Sequence, residues 1–114
     1  MTGPVDRSNA EHYVWGGICD GWRLLSGQDL SVIHERVPPG AAEIRHYHKT
    51  ARQLFFVLSG VLDIELDGAV HRVGSEQSLE IPPGVVHRVA NPGEVDSWFL
   101  VISSPSTKGD REEV

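Results

Sequence analysis

From His12 to Ile102 the chain runs in short apolar or alternating stretches, each broken by turn-forming residues: HYVW then GG, WRLL then SGQ, LSVIHERV then PPG, followed by AEIRHYH, QLFFVLS, VLDIELD, AVHRV, SLEIP, VVHRVA and WFLVI. No window sustains the i, i+3, i+4, i+7 apolar pattern over the ten to twelve residues a helix needs. The pattern therefore predicts a mostly β chain. VLDIEL is the cleanest stretch, with Leu62, Ile64 and Leu66 on one face and Asp63, Glu65 and Asp67 on the other, as in a sheet packed on one side and wet on the other. Asp67-Gly68 then joins it to AVHRV as a two-residue hairpin turn, because Gly accepts positive φ. Many short strands with no helices to cover a parallel sheet make an antiparallel sandwich or small barrel. Pro38-Pro39-Gly40 and Pro82-Pro83-Gly84 each punctuate the entry into a histidine-bearing segment.

A length of 114 residues fits one domain. The polar start (1–11) and the charged end (105–114, finishing in KGDREEV) are expected to be loosely ordered tails without chemistry, leaving 12–104 as the barrel. Ten Lys and Arg stand against sixteen Asp and Glu, which argues against nucleic acid or an anionic membrane as the main partner; the partner expected from the histidine-bearing segments is a small-molecule substrate. Cys19 is the only cysteine, so an internal disulfide is excluded. MTGPVDRSNA lacks the apolar core of a signal peptide, and no stretch is long enough for a membrane helix, so a cytoplasmic location is expected.

Chemistry concentrates between Gly40 and Gly60. His46 and His48 are two apart, and on an extended strand alternate side chains share a face, so both imidazoles enter one space. Their Cα atoms would be roughly 6–7 Å apart, close enough for both rings to reach one ion at about 2.1 Å. His87 offers a third imidazole, and Gln53 is a candidate fourth donor.

These residues resemble the cupins. The first cupin motif is Gly, five residues, His-x-His, three or four residues, Glu, six residues, Gly; Gly40, His46, His48, position 53 and Gly60 keep the spacing, with Gln53 where the family has Glu. The second is Gly, five residues, Pro-x-Gly, two residues, His, three residues, Asn; Pro82, Gly84, His87 and Asn91 match, and Glu76 occupies the leading Gly position. With six His in 114 residues, filling three fixed slots by accident has a chance on the order of one in ten thousand. The resemblance implies an all-β antiparallel double-stranded β-helix, or jelly-roll barrel. It also implies one divalent transition ion (Fe, Mn, Ni, Cu or Zn) on His46, His48, His87 and Gln53, and a homodimer. Gln53 either coordinates or packs beside the ion. As a ligand it adds a neutral carbonyl oxygen, so the site binds more weakly while the ion keeps its full charge as a Lewis acid. A general base present in carboxylate-bearing relatives is then lost and must come from elsewhere.

Other residues are read from strand parity. Phe55 and Val57 share the face of Gln53; Phe56 and Leu58 take the other, and Tyr47 faces away from the metal. His34 and Glu35 fall on opposite faces, and the sequence does not choose which points inward. Arg45 and Arg88 lie opposite their neighbouring ligands and, with Arg52, are expected in solvent, as are His12 and His71. Trp15, Trp22 and Trp98 are expected to close the barrel or form an oligomer surface. Three functions are compatible: a dioxygenase-type enzyme, an isomerase or lyase on a small oxygen-rich acid or sugar derivative, and a non-catalytic binding module. An enzyme is preferred.

Overall fold

The short alternating runs form eleven strands in a computed structural model that describes residues 3–114. They are β1 (Glu11–Trp15), β2 (Cys19–Ser26), β3 (Ser31–Val37), β4 (His46–Tyr47), β5 (Arg52–Ser59), β6 (Leu62–Leu66), β7 (Ala69–Val73), β8 (Ser78–Ile81), β9 (His87–Ala90), β10 (Ser97–Ser104) and β11 (Glu112–Glu113), with no helix among the described residues. A six-stranded sheet in the order β1-β2-β3-β10-β5-β8 faces a five-stranded one in the order β11-β4-β9-β6-β7. The pairings are antiparallel. The chain alternates between sheets as a double-stranded β-helix.

Register explains the core. On the six-stranded sheet Val57 pairs with Phe99 and Phe99 with Glu35; one step along, Phe55 pairs with Val101 and Val101 with Ile33; the next step aligns Gln53, Ser103 and Ser31. Phe55, Val57, Phe99 and Val101 meet Leu62, Ile64, Val73 and Val89 of the opposite sheet in one buried cluster. Along β5 and β10 the inward face thus grades from apolar to polar toward Gln53 and Ser103, while β3 places Glu35 beside Phe99.

The turns carry the expected chemistry. Asp67 and Gly68 both have positive φ (45° and 87°), the form that a two-residue hairpin requires. Gly60 has φ 83°, and a Cβ there would meet the Asp96 carbonyl oxygen at 2.7 Å, so both backbone and space exclude a side chain. Asn91 is a buried staple. Its amide donates to the carbonyls of Val37 and Val95, and its oxygen accepts the Gly93 N–H. Glu76 has φ 65°, which explains why the motif prefers Gly there.

Both ends differ from the expected loose tails. Near the start, the Asp6 N–H donates to Asn9 Oδ1 and the Asn9 amide to the Pro4 carbonyl, while Arg7 lies over the Trp22 and Trp98 rings. Met1 and Thr2 lie outside the described residues. At the far end β11 adds to β4, pairing Glu112 with Tyr47 and Glu113 with His46. The Asp110 carboxylate accepts the N–H groups of Lys49, Thr50 and Ala51. The KGDREEV run reads as solvated because its charges dominate its composition; what holds it is one carboxylate matched to three backbone donors.

Candidate metal centre

Two short strands bring the imidazoles together. His46 on β4 lies directly opposite His87 on β9, their ring centroids 4.3 Å apart, and His48, two residues on, projects to the same side at 5.0 Å from His46 and 5.4 Å from His87. All three are buried, and a ring nitrogen from each lies within 4.8 Å of the others. Backbone carbonyls fix the rings. His46 Nδ1–H donates to the Ile44 carbonyl at 2.8 Å, His87 Nδ1–H to Val85 at 2.9 Å, and His48 Nδ1–H to Asp110. Each Nε2 lone pair is thereby left for another ligand.

Gln53 on β5 comes from the facing sheet and is 6% exposed. Its amide nitrogen donates to Ser103 Oγ at 3.1 Å, and its Oε1 has no partner. Among the described residues, the buried side-chain atoms without a hydrogen bond are Gln53 Oε1, His87 Nε2 and His34 Nε2, the last facing Trp22 and Trp98 on the outer surface. Buried acceptors are rarely left alone. Two orphaned acceptors beside three tethered imidazoles fit a divalent transition ion. Burial drives the His46 pKa down to about 3 and lowers those of His48 and His87, so the rings are in the neutral form that binds metal.

His46 and His48 line a cavity of about 170 Å³. Two carboxyl groups also line it. Glu35 on β3 accepts the Tyr13 phenol O–H at 3.1 Å, and burial pushes its pKa up to about 7. Glu43 accepts the Val89 N–H at 3.1 Å and lies 3.9 Å from His46 Nδ1; burial, then the charge of Glu35, pushes it up to about 8. Gly21 makes the first arrangement possible. It lies between Tyr13 and Glu35 in the cross-strand register, and a Cβ there would sit 2.3 Å from the Tyr13 ring. Without that side chain the phenol crosses β2 and reaches Glu35. Arg111 stands at the rim.

Residues 33–103, more than half of the chain, match the family described as Cupin domain. The chain belongs to the cupin family. This cupin is 34% identical over 69 residues to Protein SchB of Streptomyces halstedii, covering 60% of the chain and spanning half of that relative's length. In fold it is similar to an RmlC-like cupin from Shewanella frigidimarina (TM-score 0.84, 20% identity, 96% of each chain). It is also similar in fold to a sugar phosphate isomerase of the cupin superfamily from Silicibacter pomeroyi (TM-score 0.78, 23% identity, 91% of this chain and 76% of that one).

The three motif histidines cluster, and Gln53 and Phe55 line the cavity together with His46 and His48. Arg45, Arg52 and Arg88 are exposed and engaged with Glu65, Glu80 and the Glu43 carbonyl. Trp22 and Trp98 stack on the outer face at 5.8 Å, while Trp15 lines the cavity. Glu43, Tyr13 and Arg111 escape a sequence reading. Arg111 lies outside the alternating runs, Glu43 lies within AEIRHYH but before the strand that begins at His46, and Tyr13 depends on the space over Gly21.

Proposed function

We propose that this cupin is a metal-dependent enzyme that rearranges a small oxygen-rich molecule by proton transfer, as an isomerase or lyase, with the ion on His46, His48, His87 and Gln53. One observation carries the reading: two of the three clustered neutral imidazoles, His46 and His48, and the unpartnered Gln53 amide oxygen share one cavity with the carboxyl groups of Glu35 and Glu43. Bound there by neutral donors, a divalent ion would polarise a substrate carbonyl and favour negative charge on its oxygen.

The protein groups supply the rest. Gln53 cannot act as a base, and Glu35 takes that role, its carboxyl held by Tyr13 and tuned to about 7, where it accepts and returns protons at neutral pH. Glu35 removes a proton from the hydroxyl-bearing carbon beside the carbonyl; the C–H pair becomes a C=C bond and the carbonyl π pair moves to oxygen. Returning the carbon-bound proton to the former carbonyl carbon, while the hydroxyl proton passes to the former carbonyl oxygen and the hydroxyl-bearing carbon becomes the new carbonyl, gives the isomer with no oxidant consumed. That the same barrel serves a sugar phosphate isomerase is compatible with this chemistry.

Elemental analysis of untagged, chelator-free protein beside a His46→Ala, His48→Ala double variant tests the metal. Proton NMR in D₂O and an oxygen electrode, run on a panel of small 2-oxo and hydroxy acids, test the chemistry. About one zinc or manganese ion per wild-type chain, none in the variant, and solvent deuterium entering substrate carbon without oxygen uptake are the expected results. Iron with oxygen uptake would instead support a dioxygenase. A chain that takes no metal after reconstitution would be a binding barrel.

A further inference from the structure

Arg111 is the cationic side chain among those lining the cavity, and the proton-transfer reading leaves it without a role. We infer that Arg111 is an anion-recognition residue, and that the ligand of this cavity is a small carboxylate or similarly compact oxyanion placed between its guanidinium and the imidazole cluster; this deepens the proposed function by naming the substrate class.

Three observations support it. First, Arg111 is delivered on purpose-built backbone: the preceding residue, Asp110, is fastened by three N–H groups and by His48, and the following residues pair with β4. Second, among the described residues no carboxylate inside the cavity lies within ion-pair distance of its guanidinium. Its ion pair among the described residues is with Glu113 at 3.6 Å, on the exposed side. Glu35 is committed to Tyr13 and Glu43 to the Val89 N–H. Burial also raises Glu35 to about 7, which limits the negative charge facing a ligand. Third, the donors opposite are uncharged. Three imidazoles and an amide offer no negative charge, so the cavity is electropositive at one rim even before an ion enters. A guanidinium at a rim pairs with a carboxylate through two parallel N–H donors, which orients as well as binds. A volume of about 170 Å³ restricts the ligand to a few carbon atoms.

The test is calorimetry with malonate as the anionic probe and malonamide as its neutral isostere. It uses metal-free and zinc-reconstituted protein in wild type, Arg111→Gln, Arg111→Lys and, as a surface control, Arg72→Gln. Malonate should bind wild type and Arg72→Gln, malonamide should bind at least tenfold more weakly, and Arg111→Gln should lose at least tenfold in affinity with Arg111→Lys between. If this pattern appears without metal, the anion site stands even should the metal reading fail. Equal malonate affinity in wild type and Arg111→Gln would overturn it, and so would binding that appears only with zinc and ignores Arg111. Absence of malonate binding in every state would also overturn it. Thermal melts matching wild type separate a lost contact from a lost fold.

Discussion

At the scale of the residue, the departure at position 53 sets the character of the centre. A carboxylate there would add a negative charge about one ligand distance from a dication, an attraction worth several kcal/mol, in part cancelled by the cost of burying the charge. Gln53→Glu is therefore expected to raise affinity for zinc on the order of tenfold by calorimetry. Equal or lower affinity would take Gln53 out of the coordination sphere. The three histidines and Gln53 were legible because each pairs a side-chain type with a fixed spacing on a short strand. Glu35 was only half legible: parity allowed either it or His34 to face inward. The choice lies in Gly21, whose missing Cβ opens the path for the Tyr13 phenol, a cross-strand relation that no local window contains.

At the scale of the element, β11 is the piece that composition concealed. Its backbone pairs with β4, and Asp110, two residues before it, holds the Nδ1 of His48 by its carbonyl. Ending the chain after Gly109 removes this strand, the three-N–H acceptor and the carbonyl together, while β1 to β10 remain. Far-UV circular dichroism should then stay β-type while metal affinity falls about 10–100-fold, the usual cost of losing a group that orients a ligand. Unchanged affinity would make β11 a cover rather than part of the centre. The β6–β7 hairpin, by contrast, was readable to the residue, since Asp-Gly between alternating strands has a single cheap solution. Position 76 shows a conflict between the chain and its fold. A non-glycine residue in the left-handed region costs about 1–2 kcal/mol, and Gly adds back about 0.5–1 kcal/mol of unfolded-state entropy. Glu76→Gly should therefore stabilise the exposed turn by up to about 1 kcal/mol in chemical denaturation. Destabilisation would mean that the Glu76 side chain makes a compensating contact.

At the scale of the molecule, the buried acids and bases oppose one another in their effect on stability. His46 falls to about 3, with His48 and His87 also lowered, so between those values and the ordinary histidine value near 6.5 the unfolded chain binds more protons and stability rises with pH. Glu35 and Glu43 are raised to about 7 and about 8, so from the ordinary glutamate value near 4.3 upward the folded chain binds more protons and stability falls with pH. The two trends offset each other between about pH 4.3 and 6.5, and above 6.5 only the carboxyl trend remains. The metal-free protein is thus expected to be most stable near pH 6 and to lose about 1 kcal/mol or more by pH 8, a drop of roughly 4 °C or more in Tm. A Glu35→Gln, Glu43→Gln double variant should flatten that alkaline fall while keeping the acid one. Zinc should flatten it too, because a dication in the cavity favours the ionised carboxylates and releases their protons, which calorimetry in buffers of different ionisation enthalpy would register. Stability rising steadily to pH 8 in the metal-free wild type would mean that the two carboxyls are already ionised at neutral pH, and Glu35 would then lack the proton affinity that its role as base requires.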